Sequence, residues 1–193
     1  KPAGRPAGGV GVVLRPVGLL RLDVGVFVLH AVQLAMWVAV PVLLVEAGLD
    51  KDGHWKVYLP TVLASFVVMA LTLSPLERRG YLRAVFLACV GLLALVQLAL
   101  ALLAGHPSVA MLAVVLFLFF CAFNVLEASQ PSMASRMAPP QARGAALGVY
   151  NTLQSLGFFA GGAVGGWLTK HGGAQGLVAV CAVLSLGLTY ATT

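Results

Sequence analysis

Three pairs of polar side chains lie inside long apolar stretches of the sequence. The pairs are His30 with Gln33, Asn124 with Glu127, and Asn151 with Gln154. The members of each pair are three residues apart, so they share one face of a helix. Glu127 has the clearest chemistry, because a carboxylate in an apolar medium favours its protonated form and can exchange a proton. We predict that Glu127 and His30 couple proton movement or contact a substrate. A structural role for Glu127, paired with His30 or an amide, is the alternative.

The composition places these side chains in a membrane. Of the 193 residues, 60% are hydrophobic and 9% are charged, and the mean hydropathy is +0.97. Soluble domains carry about 25% charged residues, so this composition excludes cytosolic enzymes, secreted disulfide scaffolds and disordered regions. No nucleic-acid motif accompanies the net charge of +6, and the three cysteines lack metal-ligand spacing. We therefore predict an integral membrane protein that holds no metal and binds no nucleic acid.

Six apolar stretches approach the ~20 residues that a helix needs to cross a bilayer. They lie at about 23–47, 56–74, 82–104, 108–134, 142–169 and 173–193. Turn-forming residues separate them, and helices are the segments that satisfy their own backbone amides in hydrocarbon. Residues 1–20 are rich in glycine and proline and predict a cytoplasmic tail or linker. Residues 21–193 predict an all-α domain of six transmembrane helices.

Basic residues orient this bundle. With six crossings, the tail, the second and fourth loops and the C-terminus share one side of the membrane. Nine of the twelve lysines and arginines lie on that side, and Lys51, Lys56 and Lys170 lie on the other. Because cytoplasmic loops carry the excess of basic residues, both termini are predicted to be cytoplasmic.

The polar residues form a layer at similar depth in the bundle. At ~1.5 Å per residue, His30, Glu127 and Asn151 lie about 10–12 Å from the cytoplasmic helix ends, and their partners lie one turn deeper. The second helix adds a polar stripe. We predict that a polar cavity is lined by Gln33, Tyr58, Thr61, Asn124, Asn151 and Gln154. For each amide, the alternative is a hydrogen bond that only joins neighbouring helices.

The fifth helix carries glycines at regular spacing. Gly157, Gly161 and Gly165 are four residues apart, and Gly148 precedes them. Small residues at this spacing let helix backbones approach closely, so we predict a packing surface of glycines. The run also resembles the fifth-helix motif of major facilitator superfamily antiporters, which has a proline at the position of Gly162.

Other segments resemble the same superfamily. Glu-Arg-Arg-Gly at 77–80 is similar to the loop between the second and third helices of each half of these transporters. Pro139 and Pro140, followed by Arg143, are similar to the segment before the fifth helix. The segment 124–132 most resembles YajR-type bacterial drug and proton antiporters. By this resemblance, the cytoplasmic face would be latched by Glu77, Arg78, Gly80 and Arg83.

The resemblance implies a twelve-helix transporter in two halves, with a central cavity lined by the first, second, fourth and fifth helices of each half. Each half consists of two inverted three-helix repeats, here about 23–104 and 108–193. The chain would be the C-terminal half, and its partner the N-terminal half or, in a half-size homodimeric transporter, a second copy. The implied function is secondary active transport of small molecules across a bacterial inner membrane by alternating access. The resemblance implies proton-coupled efflux, with the proton gradient as energy source and no cofactor.

Two rival classes make different predictions. An intramembrane serine protease would need a Gly-x-Ser segment, and a membrane metalloenzyme would need H-E-x-x-H; the sequence contains neither. We therefore expect no enzyme. A non-transporting scaffold or sensor is the other alternative, and it predicts a dry, closed packing in which Glu127 is paired. A transporter half predicts one concave polar face.

Overall fold

The described part of the computed structural model, residues 16–192, contains helices and turns and no strand. In chain order, α1 is Val17–Glu46, α2 is Trp55–Arg78, α3 is Leu82–Leu103 and α4 is Val109–Met137. A last helical stretch, Arg143–Thr192, is interrupted at Gly173, where φ is 67° and ψ is −179°. This break divides the stretch into α5 (143–172) and α6 (174–192). Short 3₁₀ turns, Lys51–Gly53 and Pro140–Ala142, precede α2 and α5.

The two helix boundaries that differ most from the sequence prediction are the start of α1 and the end of α2. α1 begins at Val17, directly after Pro16, so residues 17–20 belong to a helix and not to a tail. Proline suits this position because the first amides of a helix have no partner within it. The rest of the predicted tail, residues 1–15, lies outside the described residues. α2 continues through Pro75 to Arg78 instead of ending at 74, since proline is tolerated inside membrane helices when neighbours satisfy the freed carbonyl.

Glycines end the first two helices. Gly48 has a φ of 89° and Gly80 a φ of 81°, a left-handed conformation that other residues rarely adopt. After Gly80, the Tyr81 amide donates to the Leu76 carbonyl oxygen at 3.0 Å. This is the Schellman arrangement that commonly ends a helix. Gly80, which the family resemblance places in a loop latch, therefore turns the chain from α2 into α3.

Four helical segments are long and apolar enough to cross a membrane by length and composition. They are Val17–Glu46, Lys51–Arg78, Leu82–Leu103 and Val109–Met137. The stretch Arg143–Thr192 is not among the four, although its break at Gly173 lies at the predicted boundary between a fifth and a sixth helix. The count of six crossings, with the two three-helix repeats, therefore stays a prediction.

The packing centres on α1, which runs alongside the stretch Arg143–Thr192 and also contacts α4. α2 is more peripheral: it buries Val57, Thr61 and Ser65 and packs mainly against α4. Many of its other apolar side chains, such as Leu63 and Leu71, are exposed. The bundle therefore presents α2 as a weakly packed element on one side of a dense core.

Candidate functional site

His30, Glu127 and Gln154 meet where α1, α4 and α5 come together. The His30 Nε2 atom lies 2.8 Å from Oε2 of Glu127. The Gln154 side-chain nitrogen donates to Oε1 of the same carboxylate at 3.0 Å. It also lies 2.9 Å from the His30 Nε2 atom. The structure thus brings together one residue from each of the three polar pairs identified in the sequence, and we call these three residues the polar triad.

The geometry around His30 requires a proton inside the polar triad. The other ring nitrogen, Nδ1, lies 2.8 Å from the Val26 carbonyl oxygen, and a carbonyl can only accept, so Nδ1 carries a hydrogen. In a neutral imidazole, Nε2 would then point a lone pair at Glu127, and an ionised carboxylate would be repelled. The 2.8 Å contact therefore needs one proton between Nε2 and Oε2. The pair is either imidazolium with carboxylate or imidazole with carboxylic acid.

Gln154 can donate hydrogen bonds to both His30 and Glu127 after the polar triad loses that proton. Its side-chain amide has two hydrogens, and one already donates to Glu127. When the shared proton leaves, the second hydrogen can donate to the Nε2 lone pair of His30, 2.9 Å away. Hydrogen bonds are then available in both protonation states. The arrangement can therefore act as a reversible proton-binding site.

The members of the polar triad differ in how far they are exposed. The His30 side chain is fully buried and the Glu127 side chain is 37% exposed. The rings of Phe123 and Phe158 meet the imidazole edge to face, with centroids 5.9 and 4.9 Å away. Apolar packing thus fixes the histidine, whereas the carboxylate keeps contact with the surroundings of the chain. Glu127 is thus paired, as the scaffold alternative predicts, and its side chain is also partly exposed.

Glycines on α5 hold α1 close enough for the polar triad to form. A Cβ added at Gly157 would lie 2.5 Å from the Phe27 carbonyl oxygen and 3.2 Å from Cβ of His30. At Gly161 it would overlap the Ala31 backbone, and at Gly165 it would lie 3.3 Å from Cα of Ala35. We call Gly157, Gly161 and Gly165 the glycine contact.

Gly148 is not part of the glycine contact. A Cβ added there would meet nothing within 4 Å. The physical reason is helical geometry: Gly148 precedes Gly157 by nine residues, which at about 100° per residue places it on the opposite side of α5. Its grouping with the other three glycines as a packing position is therefore wrong for the contact with α1.

The other predicted cavity residues are dispersed. Asn124 donates to the Ser65 hydroxyl at 2.8 Å and so joins α4 to α2. Thr61 is buried and donates to the backbone carbonyls of Val57 and Tyr58. Asn151 is exposed. Thr61 therefore lines no open cavity in this structure, because its hydroxyl is turned back onto its own helix.

Tyr58 and Gln33 make no hydrogen bond with the polar triad. The Tyr58 ring stacks on Trp37 with centroids 5.2 Å apart, and both border a gap of about 10 Å³ that is lined mostly by apolar side chains. That gap holds at most one water molecule. Tyr58 therefore packs in a closed apolar contact instead of lining a cavity. The Gln33 side-chain oxygen is buried and has no hydrogen-bond partner among the described residues.

At the end where α1 begins, the predicted loop latch contains one ion pair. Glu77 Oε1 lies 2.8 Å from Nη2 of Arg136, which joins the last turns of α2 and α4. Arg136 was not among the predicted latch residues, although its place near the end of the fourth helix put it on the same side of the membrane. Arg78 and Arg83 are exposed and make no ion pair with the described residues. An exposed pair of this kind contributes about 0.2–1 kcal/mol.

Sequence reasoning missed Asp23. Both of its carboxylate oxygens are buried without a hydrogen-bond partner among the described residues, and the residue is 2% exposed. It lies seven residues before His30, which is two turns along the same face of α1. The predicted start of the first helix at 23 put this carboxylate at the membrane boundary, whereas the observed start at Val17 places it inside the helix. A lone acidic residue at the edge of an apolar run was the available signal.

Two other polar oxygens on this side of the polar triad are buried and have no hydrogen-bond partner in the described part of the chain. They belong to the side chains of Gln130 on α4 and Tyr150 on α5. Each lies about one turn from a polar triad member on its own helix, towards the end where α1 begins. Among residues 16–192, no three His, Cys, Asp or Glu side chains come close enough to hold a metal ion.

Replacing Asp23 with leucine should raise the thermal unfolding temperature of the complete transporter in detergent. A buried polar group without a partner costs about 1–3 kcal/mol, and leucine removes that cost with the same branching of side-chain heavy atoms. Glu46→Leu is the matched control, because Glu46 is exposed on the same helix and its replacement should leave the unfolding temperature nearly unchanged. A lower unfolding temperature for Asp23→Leu would show that the carboxylate has a partner in the complete protein.

Comparison with known proteins shows which family this chain resembles. Residues 22–191 match the family model described as Major Facilitator Superfamily. The chain is 36% identical to the inner membrane transport protein YajR of Escherichia coli (strain K12) over 194 residues, which cover all of this chain and 42% of that protein. It is 33% identical over 141 residues to an uncharacterized transporter of Buchnera aphidicola subsp. Acyrthosiphon pisum, covering 73% of this chain and 36% of the relative. The chain thus spans less than half the length of the curated relatives it matches.

Proposed function

Because the chain belongs to the Major Facilitator Superfamily, we propose that it forms part of a secondary active transporter that exports small molecules in exchange for protons. The observation that carries the proposal is the 2.8 Å contact between His30 and Glu127. That contact needs one proton, and it lies inside helices whose apolar composition suits a membrane. A carboxylate in such a place costs free energy, so its presence there favours a functional role.

The proposed proton cycle uses the polar triad alone. A proton reaches the site through Glu127, whose side chain is partly exposed, and is shared with the buried His30 ring. Release leaves an ionised carboxylate and a neutral imidazole, and Gln154 then donates one amide hydrogen to each. The change in charge at Glu127 alters the attraction for a cationic or polar substrate beside it. Alternating access follows if substrate and proton favour opposite-facing states of the transporter.

We further propose that a second six-helix lobe covers the face on which Glu127 and Asn151 are exposed. The lobe is an N-terminal half in the same polypeptide or a second copy of this chain. Support comes from the shared length with the relatives, which is 42% of YajR, and from the apolar side chains exposed on α2. The excess of basic residues on one side supports cytoplasmic termini and, with the named relative, an inner-membrane location.

The test uses the complete transporter that contains this chain, reconstituted in liposomes with DNA trapped inside. Ethidium or Hoechst 33342 is added outside, the lumen is acidified, and dye entry is followed by fluorescence. We expect entry to follow the pH gradient and to stop when nigericin collapses it. Entry that continues after collapse would refute proton coupling, and dye movement in the same direction as the protons would refute exchange. If neither dye moves under any gradient, the aromatic cations are not its substrate class.

A further inference from the structure

A pocket of about 480 Å³ lies among the first turns of α1 and α3 and the last turns of α4. Two arginines, Arg21 of α1 and Arg83 of α3, border it. The remaining lining is mostly apolar and includes Leu22, Phe86, Met133 and Met137. We call this cavity, which does not touch the polar triad, the basic pocket. Its volume falls in the range of about 300–1,000 Å³ that is usual for ligand sites.

The arginines of the basic pocket have no anionic partner in the described chain. Neither Arg21 nor Arg83 makes an ion pair with residues 16–192. The whole sequence has six acidic residues, and three of them, Glu46, Asp50 and Asp52, lie at the opposite end of α1 and in the turn that follows it. The other three are Asp23, Glu77 and Glu127. Glu77 binds Arg136, Glu127 belongs to the polar triad, and Asp23 has no hydrogen-bond partner among residues 16–192.

The chemistry of the lining selects the kind of anion. A free inorganic anion would satisfy the arginines but leave the side chains of Phe86, Met133 and Met137 facing water. An amphiphile with an anionic head and an acyl chain satisfies both parts of the lining. Basic pockets between membrane helices bind anionic lipid headgroups for this reason. The N-terminal segment of this chain is a poor occupant, because Lys1, Arg5 and Arg15 carry the same charge sign as the pocket.

We propose that the basic pocket binds the phosphate headgroup of an anionic phospholipid from the leaflet at this end of the bundle. Arg21 and Arg83 contact the phosphate, and the first methylenes of an acyl chain lie against Phe86 and the two methionines. The lipid would then join the first turn of α1 to the last turns of α4, the two helices that carry His30 and Glu127. This inference does not depend on proton coupling.

The experiment measures binding and thermal unfolding of the complete transporter with defined lipids. Purified protein in neutral detergent is titrated with phosphatidylglycerol, phosphatidylcholine or inorganic phosphate, and bound lipid is counted by native mass spectrometry. We expect phosphatidylglycerol alone to bind at this site and to raise the unfolding temperature. The double variant Arg21→Gln/Arg83→Gln should bind phosphatidylglycerol about 30-fold more weakly, since each basic residue near anionic lipid contributes about 1 kcal/mol.

The matched control is the double variant Arg79→Gln/Lys56→Gln, which removes the same charge from positions outside the basic pocket. It should bind phosphatidylglycerol as the unmodified protein does. The proposal is overturned if phosphatidylglycerol binds the Arg21/Arg83 variant and the control equally well. It is also overturned if inorganic phosphate alone stabilises the protein through these arginines, or if phosphatidylglycerol gives no more stabilisation than phosphatidylcholine. Both arginines are exposed, so neither replacement disturbs the core.

Discussion

Glu127→Gln is expected to reduce proton-driven transport to the level of liposomes without protein. Glutamine has nearly the same shape as a protonated glutamate, and its amide can donate to the His30 Nε2 atom at the observed 2.8 Å. The variant therefore mimics the proton-loaded state permanently. It cannot release a proton, so a pH gradient no longer drives transport. Exchange of labelled for unlabelled substrate needs no net proton movement and should continue, with a higher half-saturating concentration for a cationic substrate because the neutral side chain attracts it less.

Comparing the two assays separates this mechanism from simple misfolding. A variant that fails to fold would lose gradient-driven transport and substrate exchange together. Glu46→Gln serves as the control, because Glu46 is an exposed carboxylate at the far end of α1 and its replacement should leave both assays unchanged. If Glu127→Gln retains normal proton-driven transport, Glu127 is not part of the mechanism and its contact with His30 is structural.

Gly161→Ala is expected to produce the largest loss of stability among single-methyl changes on α5. The added Cβ would overlap the Ala31 backbone of α1, and backbone cannot turn aside as a side chain can. Forcing an extra methyl group into a packed contact costs about 1–3 kcal/mol. The separation of the two helices would also move His30 away from Gln154. Thermal unfolding in detergent, followed by tryptophan fluorescence, measures the effect.

Gly166→Ala is the matched control for this prediction. It lies five residues further along the same helix, and a Cβ there would meet nothing within 4 Å. Alanine is a better helix former than glycine by about 0.5–1 kcal/mol, so this change should leave stability equal or slightly higher. Both substitutions add one methyl group to a glycine of the same helix. A loss of stability for Gly161→Ala but not for Gly166→Ala would therefore come from the contact with α1. Equal losses for both variants would contradict the glycine contact.

Sequence reasoning placed His30 and Glu127 at similar depth, and they are in contact. It placed Gln154 one turn deeper, although Gln154 contacts both of them. Depth follows from the fixed rise of a helix, and His30 and Glu127 were placed at the same level from it. Neighbours depend on how each helix is rotated about its axis, which packing decides. The glycine spacing held part of that information: Gln154 lies three residues before Gly157 and faces α1, whereas Asn151 lies six before it and faces outward.

Sequence reasoning missed features that depend on single residues. Only the packing of the helices shows which of these residues have a partner. Asp23 stood at a predicted helix end, where a carboxylate is unremarkable, and became notable because the helix starts earlier. Arg136 was placed on the same side as Glu77, and the two are in contact, but they could not be matched from the sequence because the loops leave the relative positions of α2 and α4 open. Residues 1–15 lie outside the described structure, so their predicted role as a linker stays a prediction.

The glycine contact constrains how this domain can change shape. α1 and α5 touch backbone to backbone at Gly157 and Gly161, with no side chain between them that could adopt another rotamer. Sliding of α1 along α5 would break several of these contacts at once, so we expect the two helices to move together as one rigid unit. α2 buries few of its own side chains. Rearrangement during the proposed transport cycle is therefore expected to be concentrated where α2 packs against α4, beside the Asn124–Ser65 hydrogen bond.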